Sequence, residues 1–435
     1  MNKKHHSKER HERLTSIKKV RDFIAGQAVV HKAGECYLPK TAGMKSRGSV
    51  GVDHYNAYKL RARVLSLVQF TENGVIGLAF KNAPEVDVPF DVVTINGRTA
   101  EKLARDILRE VLEAGDVVLV VDAPVGGGDP YIVEYKAENF INYAVSDSDD
   151  SKITAAMFSE SYFDEDDTYQ EEPIERYREY RLIDGKPHVR VLDEDENQIG
   201  EEVVLPFDYL PVFIAGSVDN HPSADPIPLL PVADAAEAIY QVSADYRQFL
   251  HNYGQKTPYA TGVRPEEVTA ILAGGFGVGA FLTAENESAK FGEIGGTEGS
   301  EEAFRKAIQD ELLIAEQYAV TISQKGDGVE SAESVRMRAT AKQATIVTIL
   351  NSISAAITSA VECMAQWSGR GGEVTVQLST DFTFTEASDR LLTALNAAVA
   401  SQVLPVSVPR EYARRSGLTD KTDEEMDAEI VDRPF

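Results

Sequence analysis

Apolar residues at helical spacing predict the first elements of the chain. One helix has an apolar face and a basic polar face, with Leu14, Ile17, Val20 and Ile24 as its apolar positions. The segment Tyr55–Val68 predicts a second helix with basic residues, namely Lys59, Arg61 and Arg63. A further helix is predicted between Thr99, an N-cap residue, and Gly115, a C-cap residue. The apolar run Val117–Val121 then predicts a buried strand, which indicates a mixed α/β body.

The stretch between residues 146 and 205 is acidic and rich in β-type patterns. Asp184-Gly185, between YREYRLI and HVRVLD, predicts a tight hairpin because both residues tolerate the positive φ angles of such a turn. Three acidic runs, DSDD, DEDD and DEDE, lie beside or between these strands. Such runs are typical of solvated loops or of protection at sheet edges.

Three long helices are predicted in the second half of the chain. The first, Val232–Tyr253, follows a cluster of prolines that marks a boundary. The second begins at Ser300, with two glutamates in its first turn, and its apolar stripe continues to Ile322. The third is Ala332–Trp367. Between the first two lies a glycine-rich segment, Lys256–Gly296, in which the pattern predicts short β-like pieces and no long helix.

Toward the C-terminus, Val374–Phe384 alternates as a strand does, and the chain from Glu386 onward is predicted to be mostly helical with a frayed, acidic end. The segment Gln343–Val361 carries no charge, which raises the question of a membrane span. Its many serines, threonines and amides predict instead a helix enclosed by other protein, without membrane contact.

The balance of charge argues against one class of function, unless a local basic patch overrides the total. The chain has 70 acidic and 44 basic side chains, a formal net charge of −26. Because an acidic surface repels phosphate, a site-specific DNA-binding protein is not expected. The two cysteines, Cys36 and Cys363, are far apart and belong to no paired motif, so no disulfide framework is indicated.

No motif for catalysis, cofactor binding or metal binding is present. VVLVVDAPVGGGDP offers a strand and three glycines, but another strand-like run follows where a dinucleotide or phosphate site needs a helix. The glycines from Gly274 to Gly279 are likewise not followed by a predicted helix. No metal-ligand spacing and no serine-nucleophile motif occurs. We therefore predict no catalytic residue, no cofactor and no metal, and we keep an enzyme with a nucleotide site near Asp122–Asp129 as an alternative.

Four segments together resemble the portal proteins of tailed phages. ECYLPK followed by YNAYKLRARVLSLVQFTENGVIGLAFKN is similar to the family's N-terminal wing segment. LEAGDVVLVVDAP with PYIVEYKAENFINY is similar to a paired segment in a subgroup of the family. ESAESVRMRATAKQA resembles the start of the wing helix, and STDFTFTEASDRLLTALNAAVASQVLPVSV resembles the passage into the crown. Each pattern is weak alone, and their order and spacing along almost the whole chain carry the resemblance.

The resemblance implies an α+β portal fold with long stem and wing helices, assembled as a ring. The implied division is an N-terminal part of the wing at 1–225, stem helix 1 at 226–255, the clip at 256–297, stem helix 2 at 298–323, the tunnel loop at 324–331, a C-terminal part of the wing at 332–385 and the crown at 386–435. The chain is short for a portal protein, which implies a small crown.

The function implied by the resemblance is a ring-shaped channel of about twelve copies at one capsid vertex, through which double-stranded DNA is packaged and ejected. The implied partners are the terminase large subunit, head–tail adaptor and tail proteins and the major capsid protein. The implied location is the virion, after synthesis in the host cytoplasm. The tunnel loop would line the DNA channel with Gln324, Lys325, Asp327 and Glu330. The clip would bind partner proteins through Gly274, Gly275, Phe276, Gly277 and Gly279.

The negative net charge agrees with a channel that does not bind the DNA passing through it, since lysine and arginine contacts to phosphate dominate DNA affinity. Acidity that serves only to keep the protein soluble explains the same charge. Another acidic phage assembly component, such as a head–tail adaptor, is the other alternative. An adaptor is expected to be smaller and to lack the order of helix, glycine-rich module and helix.

Overall fold

The structure is a computed structural model of the 435-residue chain. The residues that it describes are 7–124, 127–162, 173–253, 257–274, 286, 288–294, 300–318, 332–380, 389–401, 403, 405–415, 419 and 421–431. The chain divides into two compact units, Met1–Ser379 and Thr380–Phe435. Helices and sheets are both present, as the sequence predicted.

The first unit contains most of the regular structure. Its helices are α1 (Lys8–Ala25), α2 (Gln27–Ala33), α3 (Ala42–Lys45), α4 (Gly48–Arg61), α5 (Leu67–Ala79), α6 (Ala100–Ala114), α7 (Leu230–Tyr253), α8 (Pro265–Gly274), α9 (Ser300–Tyr318) and α10 (Ala332–Ser368). Its strands are β1 (Glu85–Asp87), β2 (Asp116–Asp122), β3 (Tyr131–Lys136), β4 (Phe140–Ser146), β5 (Asp149–Tyr162), β6 (Ile174–Ile183), β7 (Lys186–Leu192), β8 (Gln198–Val204), β9 (Val212–Gly216), β10 (Thr257–Thr261), β11 (Lys290–Ile294) and β12 (Thr375–Gln377).

The core of the first unit is built on a three-stranded antiparallel sheet in the order β3–β2–β9. The central strand β2 is buried along nearly its whole length, and both α6 and α10 pack on it. The predicted caps of α6 are confirmed, because the Thr99 hydroxyl accepts a hydrogen bond from the Lys102 amide and Gly115 has a φ of 90°. A side chain at Gly115 would also collide with the Asp225 carbonyl. Both the positive φ angle and this close approach therefore require glycine here.

A second sheet is a five-stranded antiparallel meander, β4–β5–β6–β7–β8. Its predicted hairpin is confirmed: Asp184 (φ 50°) and Gly185 (φ 75°) form the turn between β6 and β7. The strand β8 is exposed along its whole length and lies at one edge of this sheet.

Helix α1 differs from a simple amphipathic surface helix. Its apolar residues Ile17 and Val20 are buried as predicted, but so is Arg10. The Arg10 guanidinium lies 3.1 Å from the buried Asp116 carboxylate and 4.1 Å from the centre of the Phe140 ring. Arg13 also contacts Asp116, at 3.2 Å. Much of the basic face of α1 is therefore used to attach this helix to acidic groups of the core.

The prediction of one helix over Tyr55–Val68 is wrong. Helix α4 begins earlier and ends at Arg61, and α5 begins only at Leu67. Ala62 adopts an extended conformation with ψ 143°. The Ser243 hydroxyl of α7 accepts a hydrogen bond from the Arg63 amide (2.8 Å) and donates one to the Arg63 carbonyl (3.1 Å). A contact with a distant helix thus replaces the helical hydrogen bonds at this bend.

Helix α10 confirms the predicted third long helix. Its segment Ala344–Ser368 is long and apolar enough to cross a membrane by length and composition, which its polar residues did not lead us to expect. More than half of this segment is buried inside the protein, as expected of an enclosed helix. Two of its buried hydroxyls accept backbone hydrogen bonds: Ser352 from Gly216 (3.0 Å) and Ser354 from Leu378 (3.0 Å). Its polar positions therefore serve packing inside the protein.

Two further details differ from the predictions. The strand predicted over Val374–Phe384 is shorter: β12 pairs antiparallel with β1, residues 378–380 lie outside any strand, and residues 381–384 lie outside the described part of the chain. The glycine-rich segment contains α8, which was not predicted. The predicted second long helix is described as α9 up to Tyr318, and Ile322 lies outside the described residues.

The second unit contains three helices among its described residues, α11 (Asp389–Ala400), α12 (Ser407–Arg415) and α13 (Asp423–Val431). The prediction of helices is confirmed, but the prediction of a frayed end is wrong, since α13 is a helix. Thr422 and Glu425 cap it reciprocally, each side chain accepting from the other's backbone amide at 3.3 and 2.9 Å. Arg410 and Arg414 of α12 form ion pairs with acidic residues of α13.

Candidate assembly site: the helix pair, the ribbon and the basic pocket

Helices α7 and α9 pack directly on each other and are called the helix pair below. The Phe304 ring of α9 lies 5.6 Å from the Tyr246 ring and 5.7 Å from the Phe249 ring of α7, measured between ring centres. The Tyr246 hydroxyl donates a hydrogen bond to the Glu301 carboxylate at 3.0 Å. Tyr246 and Phe249 lie three residues apart and so on the same face of α7, which is the face that binds the second helix.

Between the two helices of the pair, β10 and β11 form a two-stranded antiparallel ribbon, with α8 in the connection. Tyr259 lies opposite Gly292 in its register. A Cβ atom at Gly292 would lie 2.7 Å from the Tyr259 ring, so the glycine leaves room for this ring to lie across the neighbouring strand. Tyr259 and Phe291 are 45% and 39% exposed, which leaves aromatic surface on the ribbon.

Most of the residues predicted for the clip and the tunnel loop lie outside the described part of the chain. Of the glycine-rich cluster, Gly274 is the last residue of α8, while Gly275, Phe276, Gly277 and Gly279 lie outside the described residues. The tunnel-loop residues Gln324, Lys325, Asp327 and Glu330 also lie outside them.

The alternative nucleotide site does not have the geometry that a nucleotide phosphate needs. Strand β2 ends at Asp122 and the chain returns as the antiparallel strand β3, with Asp122 opposite Tyr131. Among the described residues of this connection, no helix begins where amide groups would have to face a pyrophosphate. The acidic residues already have partners: Asp122 lies 3.1 Å from the Arg178 guanidinium, and Asp129 lies 2.7 Å from that of Arg370. Among the described residues, no group of three or more His, Cys, Asp or Glu residues could hold a metal ion.

A buried pair of carboxyl groups joins α5 to α6. Glu72 and Glu113 are 3% and 8% exposed and are hydrogen-bonded to each other. Burial raises the pKa of Glu113 to about 7, and the hydrogen bond to Glu72 and the nearby Glu110 act in the same direction. Burial also raises the pKa of Glu72. Two guanidinium groups face the pair, Arg21 at 3.4 Å from Glu113 and Arg109 at 3.4 Å from Glu72. The pair therefore retains a proton in the folded protein at pH values where an exposed glutamate has lost it.

The sequence did not reveal a basic pocket that the bend between α4 and α5 forms with the C-terminal part of α7. Its volume is about 540 Å³, and its lining residues are Gln27, Leu60, Arg61, Ala62, Arg63, Arg247, Leu250 and His251. These eight include no carboxylate, although the chain has 70 of them. Arg61 and Arg63 stood out as basic in the sequence, but nothing there indicated that Arg247 lies beside them.

Acidic groups of the described chain do little to neutralise the arginines of the basic pocket. The Arg61 guanidinium donates a hydrogen bond to the neutral Gln248 side chain at 2.7 Å. In the part of the chain that the structure describes, neither Arg63 nor Arg247 forms an ion pair through its side chain, and both are exposed. The pocket also lies near the C-terminal ends of α4 and α7, whose partial negative charge favours cations there. It is thus a concentration of positive charge on an acidic protein.

Comparison with known proteins gives one sequence family and several solved structures. The family described as "Domain of unknown function (DUF4055)" matches residues 228–368, the stretch from the start of α7 to the end of α10. No curated protein sequence is significantly similar to the chain.

Three of the similar solved structures come from gene transfer agent (GTA) particles. A chain in the virion of a native particle has 10% identity and a TM-score of 0.41, with 85% of this chain and 90% of that chain covered. A chain in the neck of an empty particle, computed with C6 symmetry, has 12% identity and a TM-score of 0.41, covering 87% and 94%. A chain in the neck of a native particle, computed with C12 symmetry, has 12% identity and a TM-score of 0.43, covering 79% and 88%.

Proposed function

We propose that this chain is a portal protein of a tailed phage, a structural subunit without enzymatic activity that forms a ring-shaped channel at one capsid vertex. The observation that carries the proposal is the order of its elements. The ribbon lies between the two helices of the helix pair along the chain, and the long helix α10 follows them. This is the order of stem, clip, stem and wing helix that the sequence resemblance implies.

In this proposal each segment has a role. Helices α7 and α9 are the stem, the ribbon and α8 belong to the clip, and α10 with the sheets belongs to the wing. The exposed aromatic rings of Tyr259 and Phe291 support a protein-binding role for the clip, since aromatic residues are enriched at protein interfaces. The terminase motor and later the head–tail adaptors are the partners that such a clip would bind, and the residues from Gln324 to Ser331 would line the channel.

The net charge of −26 supports a conduit for DNA over a protein that holds it. A duplex carries one negative charge per about 1.7 Å of its axis, and affinity for it comes mainly from lysine and arginine contacts to phosphate. Many copies of an acidic chain arranged around a duplex would repel it from every side. The duplex could then slide without being held at any one position.

The mass of the purified particle tests this proposal. We expect a closed ring of about twelve copies, which is about twelve times the 47.6 kDa of one chain. Native mass spectrometry measures the number of copies, and negative-stain electron microscopy shows whether a central channel is present. A monodisperse monomer over a wide range of concentrations contradicts the proposal. Reconstituted heads separate a portal from an adaptor. If the ring binds only to a portal that has already formed, and does not itself form the channel at the capsid vertex, the chain is an adaptor.

A further inference from the structure

The helix pair has two exposed faces that point away from each other. On α7, Arg247 and His251 each lie two residues from Phe249, which places both about 160° around the helix from the ring that contacts α9. On α9, Glu302 lies about 160° and Leu313 about 180° from Phe304, the residue that contacts α7. The basic pocket is therefore on the far side of α7, and these α9 residues are on the far side of α9.

The two faces have opposite charge and similar apolar content. The basic pocket combines its cations with Leu60 and Leu250, which are 73% and 40% exposed. The outer face of α9 has the exposed carboxylates Glu302 and Asp310, one lysine, Lys306, and Leu313, which is 45% exposed. Each face thus has a net charge, positive on one face and negative on the other, beside apolar surface that is in contact with water in a single copy.

We infer that the basic pocket of one copy binds the outer, acidic face of α9 on a second copy of this chain. Because the two faces lie on opposite sides of the helix pair, the contact is head-to-tail, and repeating it around an axis closes a ring. The inference rests on the proposed function and adds to it which residues join neighbouring copies.

A second copy fits the basic pocket better than nucleic acid does. Sites for a phosphate backbone are built from cationic and polar groups, whereas protein interfaces combine arginine with apolar residues at their centre. Leu60 and Leu250 lie among the pocket's arginines. The acidic partner surface is also present on the chain itself, at the opposite side of the helix pair.

Two charge-reversal variants test the inference. The first, Arg63→Glu with Arg247→Glu, makes the basic face acidic, and the second, Glu302→Lys with Asp310→Lys, makes the acidic face basic. Each variant alone would bring like charges together, so we expect the concentration at half-dissociation to rise at least about tenfold. Mixed in equal amounts, the two variants present opposite charges at every contact, and we expect rings in which they alternate. Native mass spectrometry identifies such rings from their mixed mass.

The matched control is Arg181→Glu with Lys186→Glu, which makes the same change of charge on exposed residues of the hairpin between β6 and β7. It should assemble as the unmodified chain does. All four test positions are exposed, so we expect each variant to fold. Circular dichroism checks this.

The outcomes separate this inference from the proposed function. If the unmodified chain forms rings and the first variant forms them equally well, the inference is wrong and the proposed function stands. If the folded variants fail to assemble when mixed, the inference is also wrong. If the first variant keeps its ring mass but loses salt-dependent binding of a short fluorescent DNA duplex, the pocket is a nucleic-acid site and the inference is overturned. If the unmodified chain never forms rings, the proposed function itself fails.

Discussion

At the scale of single residues, the buried pair Glu72–Glu113 is the most unusual feature of the first unit. Two carboxyl groups that are removed from water cannot both ionise at low cost, so one of them holds a proton. Glu110 is hydrogen-bonded to Lys136 at 2.6 Å and to Arg21 at 2.7 Å, and its charge adds to burial in raising the pKa of Glu113.

The raised pKa of Glu113 predicts the direction in which stability changes with pH. The folded protein keeps the proton up to about pH 7, while the unfolded chain releases it near its ordinary value of 4.5. Between these values the folded state binds more protons, so the free energy of unfolding falls as pH rises through this window. Glu113→Gln removes this titration and should be more stable than the unmodified chain at pH 8, by on the order of 1 kcal/mol. Urea unfolding at pH 5 and pH 8 measures the difference.

Glu101→Gln is the matched control, because Glu101 is an exposed residue of the same helix. It should leave the slope of stability against pH unchanged. An equal slope in the unmodified chain and in Glu113→Gln would show that the pair does not share a proton.

At the scale of elements, the helix pair depends on one aromatic contact that can be removed separately. Phe304→Ala removes the ring that lies between Tyr246 and Phe249, and should lower the free energy of unfolding by about 1–3 kcal/mol. It should also speed hydrogen exchange of the α9 backbone amides, since α9 loses its ring contacts with Tyr246 and Phe249 of α7.

Gln309→Ala is the control for this element, since Gln309 is exposed on the opposite face of the same helix. Surface changes of this kind usually cost less than about 0.5 kcal/mol. If both variants exchange at the same rate, the aromatic contact does not hold the two helices together.

At the scale of the whole molecule, the net charge predicts how duplex DNA behaves toward the assembled protein. We expect binding no tighter than about 10⁻⁴ M at physiological salt, the weak end of non-specific affinity. Lowering the salt lengthens the Debye length to about 30 Å at 0.01 M and should weaken the interaction further, because repulsion is then less screened. Fluorescence anisotropy of a labelled duplex measures both. A basic protein shows the opposite dependence on salt, so affinity that rises at low salt would contradict an acidic conduit.

Where hydrogen bonds and sterics are local, the sequence determined the structure on its own. The cap at Thr99, the turn at Asp184-Gly185 and the glycine at Gly115 were predicted correctly because each depends on the conformational preferences of one or two residues. The long helices α7 and α10 were predicted because their apolar periodicity extends over many turns. Their order along the chain, together with the resemblance to portal proteins, also carries the proposed function.

The features that the sequence did not determine all depend on contacts between distant residues. The bend at Ala62 exists because Ser243, 180 residues away along the chain, binds the Arg63 backbone. Arg10 is buried because Asp116 and the Phe140 ring surround it, whereas its position alone indicates a solvated cation. The basic pocket forms only when that bend brings Arg61 and Arg63 against Arg247. In each case a residue's local preference is weaker than the energy of pairing or satisfying a buried group, and only the tertiary structure decides which groups meet.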